Sequence, residues 1–99
     1  MEGFEWDPSK EERNIRERGI DFTRASRIWD ERTLEKIDDR HDYGERRILA
    51  FGTVDGRVMA VLFTWRGPNR RIISARKANR REQRRFQAEI SNGDAPRAS

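Results

Sequence analysis

The stretch from Arg70 to Glu82, "RRIISARKANRRE", passes from β-forming residues to a helical run within a few letters, and it delivers Ser74, Arg76 and Lys77 to the junction. A cationic strand-to-helix junction suits an anion, because the planar guanidinium fork donates bidentately to phosphate or carboxylate oxygens. Glu82 shares a helical stripe with Ala78, Phe86 and Ile90, while Arg80 and Arg84 fall on the opposite side. A carboxylate set into an apolar face needs a cationic partner. Arg76 is close enough in sequence to supply it. The plainer reading of the two is an ion pair that only holds the fold.

Other chemistries are poorly provided for. A hydrolytic triad needs Ser, His and an acid within hydrogen-bond reach. His41 is the single histidine, so Ser74 becomes a nucleophile only if His41 comes to it. "DDRHD" crowds Asp38, Asp39 and Asp42 around His41 without a ligand spacing such as HExxH, and a solvated loop is the expectation. The absence of cysteine excludes disulfides and thiolate metal sites. No glycine-rich phosphate cradle occurs, and no metal or cofactor is expected.

What remains is metal-independent cleavage of an RNA phosphodiester. The substrate's own 2′-hydroxyl attacks; the protein positions the backbone, moves protons and neutralises charge on the phosphorane. Lys10, Arg76 and Lys77 are the candidate charge stabilisers, with Glu45 or His41 as base or acid. Trp65, beside Arg66, is either a platform on which a base stacks or an aromatic of the core or rim.

The elements that must carry these residues are legible in part. Phe4 and Trp6 alternate in a short edge strand. Asp7 then caps a helix with Pro8 at its first position, and Gly19 ends it. Lys10 and Asn14 share a face of that helix, whose one clear apolar residue, Ile15, puts it on the surface or against another chain. Phe22, Ala25, Ile28 and Trp29 make the core stripe of a second helix. "RTLEKIDDRHDYGERR" reads as a long connection. "RILAFGTV" and "RVMAVLFTW" flank Asp55-Gly56, the signature of a type I′ hairpin. Their nearly continuous apolar runs predict a central pair covered on both faces. After a turn at Pro68 and Asn69, "RIISAR" makes a third strand, with Ile72, Ser74 and Arg76 on one side and Arg71, Ile73 and Ala75 on the other. A helix over Ala78–Ile90 follows. The expectation is one α+β domain over residues 1–90, with three meander strands, and a disordered tail over 91–99.

Composition narrows the partners. The chain has 99 residues, 33% hydrophobic and 40% charged, with 22 Lys+Arg against 18 Asp+Glu for a net charge of +4. Its mean hydropathy is −1.12 and its sequence pI about 10.3. So lean a core predicts support from a partner chain or self-association. Charge is segregated. Residues 66–85 hold eight arginines and Lys77 against one acid, Glu82, whereas residues 30–45 hold seven acids against three basic residues. A basic segment attracts phosphate by counterion release and steering; a solvated arginine-rich surface is the bland alternative. No apolar run is long enough for a bilayer, and the N-terminus does not resemble a signal peptide. A cytoplasmic protein with no membrane partner is expected.

"FEWDPSKEERNIRERGIDF", "DDRHDYGERR" and "RRIISARKANRRE" together resemble the BrnT toxins of bacterial type II toxin–antitoxin modules, over about residues 4–86. The resemblance implies a RelE-like fold of helices on an antiparallel sheet. It implies a ribonuclease that blocks translation, with an RNA substrate. The implied partner is a BrnA-type ribbon-helix-helix antitoxin, through which alone the toxin meets operator DNA, in a homodimer or heterotetramer. Carried over by motif, Lys10, Arg40, Tyr43, Glu45, Arg76, Lys77 and Glu82 are the matched polar positions. The expected catalytic set is Lys10, Arg40, Glu45, Arg76, Lys77 and Glu82. The expected RNA-binding set is His41, Tyr43, Trp65, Arg66, Arg70, Ser74 and Arg80. The chain departs from the family where Glu17-Arg18-Gly19 replaces the common Lys-His-Gly and Phe86 the common tyrosine. The competing reading is a non-catalytic, basic nucleic-acid-binding module or corepressor that acts with a DNA-binding partner.

Overall fold

A computed structural model describes residues 3–40 and 44–94. Strand β1 (Gly3–Trp6) leads into helix α1 (Pro8–Arg18) as its caps dictate. Asp7 accepts from the Ser9 N–H at 2.9 Å, and Gly19, at φ 70°, returns its N–H to Ile15 O at 2.8 Å. Helix α2 (Phe22–Ser26), capped by Asp21, is one short turn that tightens into a 3₁₀ turn over Arg27–Asp30. Strands β2 (Leu34–Asp38), β3 (Arg47–Val54), β4 (Arg57–Arg66) and β5 (Asn69–Lys77) follow, then helix α3 (Arg80–Asp94). No helix among the described residues is long and apolar enough to cross a membrane.

The sheet is five-stranded and mixed, in the order β1-β5-β4-β3-β2, with β1 parallel to β5 and the remaining pairs antiparallel. This corrects the expected three-stranded meander, because five residues of the predicted connection, Leu34–Asp38, are β2. Leu34 alternates with charged residues there and Ile37 is 52% exposed, so the segment carries little strand signal of its own. The β3 ladder, running from Leu34↔Phe51 to Asp38↔Arg47, recruits it; context overrides propensity at an edge. The Asp55-Gly56 hairpin is as expected, with both residues at positive φ (52° and 78°). The second turn lies one residue earlier than predicted. Gly67, at φ 58°, and Pro68 form it, while Asn69 already pairs with Arg66 and Gly3.

The hairpin is indeed covered on both faces. On one, Phe22, Ala25 and Ile28 pack against Val61, Phe63 and Ile72; on the other, Phe86 and Ala78 pack against Phe51, Val58 and Ala60. Helix α1 is held to the first face in an unexpected way. Ile15 is 46% exposed, and Asn14, 5% exposed, faces inward. Its Nδ2 donates to Ile20 O at 2.8 Å and its Oδ1 accepts from Ala75 N at 3.0 Å, which ties helix to sheet by hydrogen bonds rather than by apolar contact.

Strand β5 is bulged. The register runs from Leu62↔Ser74 to Phe63↔Ile72, leaving Ile73 as the extra residue. Parity inverts there, so Ile72 and Ala75 share the first core while Arg76, opposite Ala60, lies on the α3 face. The expected grouping of Ile72 with Ser74 and Arg76 is therefore wrong.

Helix α3 starts two residues later than predicted, because Asn79 is its cap. It runs on through Asp94, so the first part of the predicted disordered tail is helical. Extending a nucleated helix costs little per residue. Residues 95–99 lie outside the described residues.

Candidate active site

Arg76 leaves β5 on the α3 face and meets Glu82 one helical turn into α3. Its Nη1 donates to Oε1 at 2.8 Å and its Nη2 to Oε2 at 2.9 Å. Glu82 is fixed from the other side as well. The Asn79 N–H donates to Oε1 at 2.8 Å, and Asn79 Oδ1 accepts the Glu82 N–H at 2.8 Å, which makes a reciprocal capping box. The carboxylate thus accepts N–H groups on both oxygens, and its pKa falls from 4.5 to about 2. The Arg76 hydrogen bonds do most of this, against burial; the Asn79 N–H and the charges of Arg76 and Lys36 add to it. Glu82 is therefore a carboxylate throughout the neutral range and a poor proton acceptor. Arg76 is raised above its ordinary value, chiefly by the Glu82 hydrogen bonds, with burial and the charge of Arg40 opposing.

The guanidinium carries five N–H donors. Two go to Glu82 and one, at 3.3 Å, to Lys77 O. The side chain is 36% exposed, so the remaining donors can meet an anion. Arg40 has a similar arrangement. Its Nε donates to Asp38 Oδ1 at 2.7 Å and its Nη2 to Oδ2 at 3.2 Å, from a carboxylate side chain that is 4% exposed while Arg40 itself is 72% exposed. Between these two clamped arginines runs the cross-strand row Lys36↔Leu49↔Leu62↔Ser74. The result is a sheet face beside α3 with an apolar middle and a cationic border.

A family model described as "Ribonuclease toxin, BrnT, of type II toxin-antitoxin system" matches residues 6–82. The chain belongs to the BrnT family. The 1.1 Å crystal structure of the Brucella abortus ribonuclease toxin BrnT is similar to it, with a TM-score of 0.60 at 25% sequence identity, over 81% of this chain and 100% of that one. Comparison with curated proteins returns no match. The α+β architecture agrees with this likeness, and BrnT-family membership carries with it the description of a ribonuclease toxin that has an antitoxin partner.

Within this BrnT-family fold the expected site residues divide into groups. Arg76, Glu82 and Arg40 belong to the α3 face, Ser74 pairs with Leu62 at the β5 bulge and also borders the α1 cleft, Lys77 closes β5, and Arg80 is exposed in the first turn of α3. Lys10 is elsewhere. It borders a cleft of about 310 Å³ with Arg13, Asn14, Ile73 and Ser74, under α1. Glu45 pairs with Arg47 at 3.2 Å and Arg66 at 3.8 Å, where β4 ends. Arg70 and Trp65 are cross-strand partners on the α1–α2 face, opposite Arg76. Arg70 is 8% exposed, with its guanidinium 4.6 Å from the ring centroids of both Trp29 and Trp65 and 5.6 Å from that of Phe63. Arg70, expected to bind RNA, thus has its guanidinium enclosed by aromatic rings. His41 and Tyr43 lie outside the described residues.

Sequence reading missed Lys36 and Asn79. Period-two alternation in "LEKID" puts Lys36 with Leu34 on one face, and Asn79-x-x-Glu82 is a capping-box spacing; both signals were present. Phe86 is 6% exposed in the second core.

Proposed function

We propose that this BrnT-family chain cleaves RNA on the α3 face without a metal. The 2′-oxygen attacks the adjacent phosphorus, losing its proton to a base, and the 5′-oxygen leaves with a proton from an acid. The products are a 2′,3′-cyclic phosphate and a 5′-hydroxyl. Arg76, held by Glu82, stabilises the charge that builds on the phosphorane, a role its remaining donors suit. Arg40 and Lys36 hold flanking phosphates, and Ser74, Lys77 and Arg80 border the path. Glu45 and His41 are the candidate proton carriers; Glu82 is not one, since its pKa of about 2 leaves it ionised. Translation falls as RNA is cut, in the cytoplasm, until a BrnA-type ribbon-helix-helix antitoxin binds and carries the toxin to operator DNA.

The Arg76–Glu82 fork is the observation that carries this reading. Single-turnover cleavage by Arg76→Ala tests it, in the presence of EDTA and with circular dichroism to confirm folding. The expected loss is ~10²–10³-fold, typical of removing one preorganised donor to a developing oxyanion. Arg76→Lys recovers little, because a point charge does not reproduce the fork. A folded Arg76→Ala protein cutting at the wild-type rate, or cleavage abolished by EDTA, overturns the reading.

A further inference from the structure

Between β2 and α3 lies a groove of about 560 Å³ whose apolar floor the cleavage site does not use. Its floor is apolar: Leu34, Phe51 and Phe86. Arg81, Arg85 and Glu89 stand on the α3 wall, and Lys36 and Glu35 on the β2 wall, where the Glu35 carboxylate already accepts from Trp29 Nε1 at 2.9 Å. Glu82, which also borders it, is neutralised by Arg76. Arg81 and Arg85 belong to a run of exposed arginines, Arg80, Arg81, Arg84 and Arg85, which form no ion pair among the described residues. Like charges four residues apart on a helix repel, so α3 holds both pairs at a cost that an anionic partner would offset. On the other wall β2 is the end strand of the sheet.

We infer that this groove receives an acidic, amphipathic segment of the antitoxin that a type II toxin requires. An RNA strand would use the arginines but gain nothing from a Leu–Phe–Phe floor, since Phe51 and Phe86 are 8% and 6% exposed and offer no ring face for a base. A peptide with apolar side chains on one side and carboxylates on the other uses both. Its carboxylates pair with Arg81, Arg85 and Lys36 while its apolar residues cover Leu34 and the ring edges. Binding rests only on family membership. Inhibition rests on the cleavage site proposed above, because Lys36 and Glu82 are shared by groove and site, so an occupied groove crowds the phosphate path.

The double charge reversal Arg81→Glu, Arg85→Glu is the test, measured on the full chain. Both positions are exposed, and an acid in the first turn suits the helix dipole, so folding is spared. Affinity for the co-expressed antitoxin is measured at 0.15 M salt, and cleavage of a defined RNA at saturation. The expected result is a loss of ~100-fold or more in antitoxin affinity, with the saturated cleavage rate within about threefold of wild type. Amide exchange in the complex should slow in Leu34–Asp38 and along α3. Unchanged antitoxin affinity overturns the inference. So does a variant that keeps the antitoxin but no longer binds RNA, which would make the groove an RNA site. Failure of the cleavage reading shows separately, in Arg76→Ala.

Discussion

Replacing Glu82 with glutamine separates charge from shape at the centre of the site. The amide oxygen can still accept the Asn79 N–H that Glu82 Oε1 accepts at 2.8 Å, so the cap of α3 survives. The second oxygen becomes an NH₂ group facing Arg76 Nη2, which now has no acceptor there. The carboxyl pKa drops from 4.5 to about 2 on folding. At ~1.4 kcal/mol per unit that is ~3 kcal/mol if wholly realised. Glu82 is only 19% exposed but Arg76 is 36% exposed, and water around the guanidinium screens the pair to ~1–2 kcal/mol.

The sign follows from linkage. A folded-state pKa below the unfolded one means that the unfolded chain binds more protons between the two values. The stabilisation is therefore complete above about pH 4.5 and is lost as pH falls towards 2. The gap between wild type and Glu82→Gln should be ~1–2 kcal/mol at pH 7, narrow through pH 4 and 3, and approach zero near pH 2. Urea unfolding of both proteins at each pH reads it, and taking the difference cancels the other carboxylates. A gap that is constant with pH, or that widens in acid, refutes the assignment of the shift to the Arg76 pair. At pH 7 the folded variant should cut RNA more slowly than wild type but faster than Arg76→Ala, since an unclamped guanidinium still carries its charge.

Asn14→Ala leaves two buried backbone groups, Ile20 C=O and Ala75 N–H, without their partner. At ~1–3 kcal/mol each the loss is ~2–5 kcal/mol, and thermal unfolding that moves by less than ~1 kcal/mol would show that α1 is held by something else. RNA binding should weaken steeply with salt. If about four phosphates are met, log affinity falls against log salt with a slope of roughly −3 on single strands, and a slope near zero removes the arginines as phosphate contacts.

Where local pattern and tertiary structure agree, the sequence was sufficient. The Asp7–Pro8 start and Gly19 stop of α1 and the Asp55-Gly56 hairpin are short-range signals, each with one physical solution. The failures share a cause: the deciding partner is distant. Strand β2 exists because β3 offers a ladder. The one clear apolar residue of α1, Ile15, stays 46% exposed, and what holds the helix is the pairing of Asn14 with Ile20 C=O and Ala75 N–H, groups far from it in sequence or outside the helix. Arg70 sits in aromatic company drawn from the 3₁₀ turn and β4, a grouping no spacing reveals. The bulge at Ile73 matters most for the site. Regular alternation from Ile72, which is in the core under α1 and α2, would carry Arg76 to that same face, with the sheet between it and Glu82. One extra residue lets Ile72 and Ala75 both stay in that core and still turns Arg76 towards α3. A strand pattern counted in twos cannot show this, because the bulge is defined by the register of Leu62 and Phe63 on the neighbouring strand. The juxtaposition on which the cleavage reading depends is thus a product of sheet register, not of the arginine-rich segment alone.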